Sequence, residues 1–306
     1  MAVASNTKPG FRPKVIGAFA AVYLIWGSTY LAIRFTLETM PPFLSAGLRF
    51  LVAGLVLYFF DRLKNKEKIS SKHWLSAVTI GGFLLLGGNG CVVLAERYVP
   101  SGLAALFIAV VPLWMVLLEW RWHRTKRPPL GVFLGIGIGF LGVWLLMAPD
   151  FLHLQHQIIH LGGALLLLLA SLSWSIGSVY SRKATLPKSP FLSTGMEMIG
   201  GGGLLLLLGL LGGEYPHFHL AAFSFKSMAA LLYLAVFGSL LAFTAYIWLL
   251  KNVGVARTST YAFVNPVVAI FLGFVFADER LETQTALAAL LVLVAVIVIT
   301  FYYRES

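Results

Sequence analysis

Two charged side chains stand inside long apolar runs: Arg49 in PFLSAGLRF (42 to 50) and Glu197 in PFLSTGMEM (190 to 198). The two strings are otherwise near copies, so one segment is written twice with its charge reversed. Ionisable groups in hydrocarbon are costly, and where they occur they line ion or substrate pathways. Arg49 is the residue type that draws an anionic group out of water. Glu197 is the type that takes up a proton or a cation, which makes it the candidate for proton or ion coupling. The structural alternatives are a pairing of Glu197 with Arg182, and of Arg49 with Glu38 or Glu96.

Around these charges lies a second set of polar groups. Tyr23, Trp26, Gly27, Tyr30 and Arg34 fall on one face at helical spacing, with Thr29 beside them. Their counterparts 148 positions on are Ser171, Trp174, Ser175, Ser178 and Arg182. Unsatisfied hydroxyl and indole N–H groups are unfavourable in lipid, so such a stripe suits a wet cavity or close helix packing through small polar residues. Interior amides stand at Asn89 in GGNGC and Asn265 in FVNPV. Pro266 removes a helix hydrogen bond and crowds the carbonyl of Ala262, which predicts a kink near Tyr261 and Ala262, with a similar bend at Pro112. Thr258, Tyr261 and Asn265 share a face there. Tyr246 and Trp248 are further candidates.

These residues need helices that cross a membrane. Of 306 residues, 59% are hydrophobic and 11% charged, and mean hydropathy is +0.86, far from the balance of a soluble domain. Runs long enough for a bilayer fall at 15 to 33, 43 to 60, 74 to 95, 102 to 118, 130 to 148, 161 to 180, 191 to 211, 228 to 250, 258 to 277 and 283 to 303. The expected fold is therefore an all-α polytopic membrane protein with ten transmembrane helices. The first run is long and contains Trp26 and Tyr30, so it reads as a retained helix rather than a signal peptide.

Basic residues collect in alternate loops, among them Lys8, Arg12, Lys14, Arg62 to Lys72, Arg121 to Arg127, Arg182 to Lys188, Lys251 and Arg257. The opposite loops hold only Arg34, Arg97, Lys226 and Arg280. Basic loops stay in the cytoplasm, so both termini are expected there.

At the 148 offset Trp26 falls on Trp174, Arg34 on Arg182, Pro42 on Pro190, Ser45 on Ser193 and Gly47 on Gly195. Further on the offset is 154, placing Pro112 on Pro266 and the basic 124 to 127 loop on the acidic DERLE loop with Asp278, Glu279 and Glu282. Two repeats follow, 15 to 148 and 160 to 303, each of five helices. An odd number makes the second unit enter from the opposite side, an inverted repeat of the kind that places a substrate site near the midplane. Arg49 and Glu197, each seven positions past its proline, then lie about 10 Å below opposite faces, too far apart in depth to expect a direct ion pair.

The strings LIWGSTYLAIRF, PPFLSAGLRF, AERYVPSGLAALFIAVVPLW and VARTSTYAFVNPVVAIFLGFVFADERL resemble EamA-type members of the drug/metabolite transporter superfamily. That resemblance implies a ten-helix cytoplasmic-membrane exporter of amino acids, related metabolites or small toxic organics, working by alternating access without a cofactor. A passive channel, a scaffold or, further off, a polytopic enzyme are the alternatives. Its partners would be the lipid bilayer, a small-molecule substrate and a coupled proton or counter-substrate, with no nucleic acid. The expected cavity residues are Trp26, Thr29, Tyr30, Arg49, Asn89, Trp174, Ser178, Tyr246, Tyr261 and Asn265.

Other chemistry finds little support. GIGFLG (137 to 142) matches a dinucleotide fingerprint but lies inside an apolar run, where Gly131, Gly135 and Gly139 suit close helix packing. There is no phosphate-binding G-x-x-x-x-G-K-[ST] loop. His153, His156 and His160 have helical spacing, yet no Cys or clear carboxylate set accompanies them, so no metal is expected. Cys91 is the single cysteine and excludes an intrachain disulfide.

Overall fold

The structure, a computed structural model, describes residues 13–99, 101–123, 127–153, 161–277 and 283–302. The described residues are helical, without a strand. In chain order the helices are α1 (Pro13–Leu37), α2 (Pro42–Lys64), α3 (Ser71–Ala95), α4 (Ser101–Ile108), α5 (Val111–His123) and α6 (Leu130–His153). They continue with α7 (Leu161–Ser181), α8 (Pro190–Leu211), α9 (Phe225–Asn252), α10 (Val255–Thr258), α11 (Tyr261–Ala277) and α12 (Thr283–Tyr302). Six of these, α1, α2, α3, α7, α8 and α9, are long and apolar enough to cross a membrane, and shorter apolar stretches lie at Leu130–Gly142 and Leu290–Ile299. The basic 124–126 segment, the acidic 278–282 segment, His156, His160 and the outermost basic residues of both termini lie outside the described residues.

Two expected spans are divided. The 102 to 118 run breaks into α4 and α5 at Ala109–Val110, just ahead of Pro112, whose ring crowds the carbonyl of Ile108. The 258 to 277 run breaks at Ser259–Thr260, before the expected position at Tyr261–Ala262, and Pro266 sits inside α11. Hydroxyls account for the shift. Thr258 Oγ1 donates to Gly254 O at 2.7 Å, Ser259 Oγ to Ala256 O at 2.9 Å and Thr260 Oγ1 to Arg257 O at 2.6 Å. The Ser259 and Thr260 hydroxyls thus occupy the Ala256 and Arg257 carbonyls that a continuing helix would use, while the Thr258 hydroxyl shares Gly254 O with its own N–H.

Helices α3 and α9 each change winding midway. Gly82–Gly90 and Leu234–Phe243 are π-helical, with straight α-helix on either side. Such segments rotate the residues beyond them and concentrate at functional sites. Both face the cavity described below.

The most intimate helix contact joins α2 and α8, the two halves of the sequence repeat. A Cβ on Gly54 would lie 2.8 Å from Gly195 O, and one on Gly195 would lie 3.0 Å from Gly54 O. Likewise a Cβ on Gly47 would lie 3.0 Å from Gly202 O, and one on Gly202 would lie 3.0 Å from Gly47 O. Backbones meet here because no side chain intervenes, the packing mode by which membrane helices gain dispersion contact. Each of these helices opens on a proline, which needs no hydrogen-bond acceptor, and a carboxylate from the other half satisfies N–H groups at its start. Glu214 accepts from Phe43 N at 3.1 Å and Leu44 N at 2.8 Å. Glu67 accepts from Lys188 N at 2.9 Å, and Asp61 accepts from the Ser189 hydroxyl.

Elsewhere α6 packs along α12 through the glycines of the GIGFLG region, with Gly131 against Tyr302, Gly135 against Ile299 and Gly139 against Phe263 of α11. The backbone is helix throughout this string, so no phosphate-binding turn forms.

The glycine seam makes a direct prediction. Gly54→Ala forces a methyl against the α8 backbone and should lower stability in detergent by about 1–3 kcal/mol, the usual effect of overpacking. Gly203→Ala, with nothing within 4 Å of the added carbon, should keep or slightly raise the melting temperature in the same fluorescence-detected thermal scan.

Candidate functional site

A cavity of about 690 Å³, its open mouth included, lies between the helices of the two sequence halves. Of the expected residues, Trp26, Thr29, Tyr30, Arg49, Asn89, Trp174, Tyr261 and Asn265 line it. Ser178 and Tyr246 do not line it and form a layer against one side. Phe50, Gly88, Gly238 and Phe243 also line it and were not foreseen. The 154 offset that pairs Pro112 with Pro266 places Phe243 on Asn89, a signal that could have found one of them.

The aromatic wall is centred on Trp26. Its ring meets Trp174 edge-on at 5.4 Å and 82°, Tyr261 at 5.0 Å and 74°, and Tyr246 at 4.9 Å. Tilted and edge-to-face contacts of this kind are favoured by the ring quadrupoles. Trp26 Nε1 donates to Gly238 O at 3.1 Å, a carbonyl within the π-helical part of α9. The winding change therefore has a use: it presents a backbone acceptor to a buried indole.

One end of the cavity carries the polar groups. Arg49 is buried, its Nη2 donates to Asn89 Oδ1 at 3.1 Å, and its guanidinium carbon lies 4.1 Å from the centre of the Phe50 ring. Arg49 Nε and Asn265 Oδ1 are buried without a hydrogen-bond partner among the described residues. Asn265 itself faces the Tyr30 hydroxyl. The cavity is thus lined by one cationic and one neutral polar residue, each with a polar atom unused by the described residues, set among aromatic rings. Glu96, weighed from the sequence only as a structural partner, lies within electrostatic reach of Arg34 and Arg49. Neither of its oxygens has a hydrogen-bond partner among the described residues. Glu38, the other residue weighed for Arg49, pairs with Lys226 at 2.7 Å.

A smaller void of about 210 Å³ shares Ile33 and Arg49 with the cavity and continues past Thr36 and Leu37, the C-terminal end of α1. The opposite end is shut by hydrogen bonds. Trp174 Nε1 donates to Tyr246 OH at 2.8 Å, the Ser178 and Tyr246 hydroxyls are 2.6 Å apart, and Ser178 Oγ also reaches Trp174 O at 2.6 Å. Tyr23 OH and Thr260 Oγ1 are 2.6 Å apart on the same side. Beyond them Arg182 is ion-paired with Glu119. That pair corrects the alternative in which Arg182 partners Glu197. Glu197 is fully buried on α8 and does not line the cavity, so the structure does not bring it together with Arg49. No group of His, Cys, Asp and Glu suited to a metal forms among the described residues.

Tyr246→Phe tests the closed end. It strands the Trp174 indole N–H, while Ser178 Oγ keeps its bond to Trp174 O, and an unpaired buried group costs about 1–3 kcal/mol. The expected result is a lower melting temperature with faster hydrogen exchange in peptides covering α7 and the end of α9. Unchanged exchange would mean that this network does not hold the end shut.

The chain matches the EamA-like transporter family over residues 13–148 and again over 161–301. It is 38% identical over 288 residues to the uncharacterized inner membrane transporter YedA of Escherichia coli K12, covering 94% of this chain and 90% of that one. It is 26% identical over 291 residues to a protein of Salmonella typhimurium named a probable amino-acid metabolite efflux pump, covering 92% of this chain and 93% of that one. A solved crystal structure shares the fold with a TM-score of 0.74 at 21% identity, covering 94% of this chain and 96% of that one.

Proposed function

Because this chain belongs to the EamA-like transporter family, and so is a multi-pass membrane transporter rather than an enzyme, we propose that it exports small amphipathic carboxylates such as amino acids from the cytoplasm by alternating access. The likeness to a probable amino-acid metabolite efflux pump agrees with that class. The observation that carries the proposal is the cavity itself. It is built from both sequence halves, walled by Trp26 and Trp174, and has a buried guanidinium donor and an amide acceptor left unused. A carboxylate at Arg49, an ammonium at Asn265 Oδ1 and an apolar side chain against the rings would fill those positions.

Alternating access rests on the inverted repeat of two five-helix units, 15 to 148 and 160 to 303. The contacts between α2 and α8 support it. At the 148 offset Gly47 corresponds to Gly195 and Gly54 to Gly202, yet Gly47 meets Gly202 and Gly54 meets Gly195. This exchange of partners is what a twofold axis between the units produces. Trp26 touches its own counterpart Trp174, as residues on that axis do. The basic loops support an orientation with both termini in the cytoplasm. In that orientation the Trp174, Ser178 and Tyr246 network lies on the cytoplasmic side and the void past Thr36 leads outward. The chain is then held in a state closed to the cytoplasm.

Purified protein in proteoliposomes should show saturable counterflow of labelled phenylalanine, leucine or another neutral amino acid. Arg49→Gln should weaken it at least tenfold in apparent affinity, in keeping with about 1.5–3 kcal/mol for a charged hydrogen bond. Non-saturating flux, or ion conductance without counterflow, would overturn the carrier reading in favour of a pore.

A further inference from the structure

Away from the cavity, a second set of polar groups lies on α8, which packs against the Thr244–Asn252 segment of α9. Glu197 and Thr194, three residues apart on one face of α8, are both fully buried. Neither Glu197 oxygen nor Thr194 Oγ1 has a hydrogen-bond partner among the described residues. Ser193, one turn from Glu197, accepts from Lys251 Nζ at 3.4 Å, and Lys251 is half-buried near the end of α9. None of these four residues lines the cavity.

The charges on the elements packed against α8 leave Glu197 one electrostatic neighbour. On α2, Arg49 is turned to Asn89, Asp61 binds Ser189 and Asn65, Arg62 donates to Glu67 O, Lys64 lies over Phe60, and Tyr58 packs against Trp74. On α3, His73 closes the capping box with Ser70 at the exposed start, where Lys72 also stands, and Cys91 is neutral. On α9, Tyr246 is held by Trp174 and Ser178. Lys251 remains, and it is the charged group within electrostatic reach of Glu197.

We propose that Glu197 and Lys251 form a proton-exchange site that couples a proton gradient to movement of the cytoplasmic seal. This inference rests on the transport reading above. With Glu197 ionised, attraction between the carboxylate and the Lys251 ammonium holds the end of α9 against α8. The same short segment carries Tyr246, so the seal on Trp174 and Ser178 stays closed. Adding one proton to a Glu197 oxygen makes a neutral carboxylic acid. Lys251 keeps its own proton, and the pair changes from net neutral to net positive. The attraction is lost, and the end of α9 is free to leave α8 and carry Tyr246 with it. The proton taken up by Glu197 returns to water on the cytoplasmic side, and Lys251 remains an ammonium throughout. A metal cation is disfavoured at this site, since an ammonium already faces the carboxylate.

Two measurements on the full chain test this. Infrared difference spectra of purified protein between alkaline and acid pH should contain a protonated-carboxyl C=O band that Glu197→Gln removes and Glu197→Asp restores. In proteoliposomes with labelled phenylalanine or whichever amino acid supports counterflow, Glu197→Gln should cut the ratio of pH-gradient-driven uptake to counterflow at least tenfold, with recovery in Glu197→Asp. Retention of gradient-driven uptake by Glu197→Gln overturns the coupling. If no amino acid gives counterflow in the wild type, the transport reading fails, and the infrared band alone decides the proton site: its presence supports exchange at Glu197 and its absence overturns it.

Discussion

The backbone contact between α2 and α8 is the constraint on which the rest of the structure depends. In hydrocarbon two apolar helices gain nothing from leaving water, so their association rests on dispersion contact and on polar groups finding partners inside the protein. Four glycines let the two backbones approach until a methyl group would not fit between them. The carboxylates of Glu214 and Glu67 hold the two ends by taking N–H groups at or just before the start of the opposite helix. Sliding along this seam would break both sets of bonds and push the glycines against larger residues. The pair is therefore a fixed reference within the bundle. Arg49 and Glu197 both sit on it, one turned to the cavity and the other away.

Polar groups elsewhere follow the same rule of internal satisfaction. Hydroxyls in the helices are bonded to carbonyls three or four residues back, as at Thr36, Ser175 and Thr258. Among the described residues the exceptions include Arg49 Nε and Asn265 Oδ1, on residues that line the cavity, the Glu197 oxygens and Thr194 Oγ1 on α8, and further atoms of Glu96, Asp61, Trp114, Ser239 and Thr244. Burying an unpaired polar group is unfavourable without a compensating role. The first two sets are those to which the proposed substrate and proton are assigned.

How much of this was legible beforehand depended on how local the cause is. Long apolar runs mark helices because the bilayer imposes length and composition together, and the helices longest in apolar sequence were found as expected. The stripe of Trp26 and Tyr30 and the interior amides were legible because a polar side chain at membrane depth has no local reason to be there. The break before Tyr261 was misplaced because Pro266 was taken as its cause. The hydroxyls of Thr258, Ser259 and Thr260 act one turn earlier. The π-helical segments of α3 and α9 were not legible at all. A shift of one residue in helix winding leaves no periodic signature over so short a run, and it is fixed by what the carbonyls meet, such as the Trp26 indole on Gly238. Partner choice was equally hidden. Arg182 lies nearer in sequence to Glu197 than to Glu119, yet α5 packs on α7 and brings Glu119 to it.

The proposed twofold relation between the halves gives the charge reversal its meaning. If the two units were identical, the inward-closed and outward-closed states would be related by the twofold rotation and equal in energy. Corresponding positions that differ remove that equality. Arg49 and Glu197 are such a pair, and their surroundings differ in kind. Arg49 shares the cavity with Asn89 and has no carboxylate hydrogen-bonded to it, so it is available to a ligand. Glu197 does not line the cavity and has Lys251 within electrostatic reach. A ligand entering the cavity acts on the first site, and a proton acts on the second. Because α9 carries Phe243 on the cavity wall, Tyr246 in the seal and Lys251 beside Glu197, a displacement of its end is felt at all three.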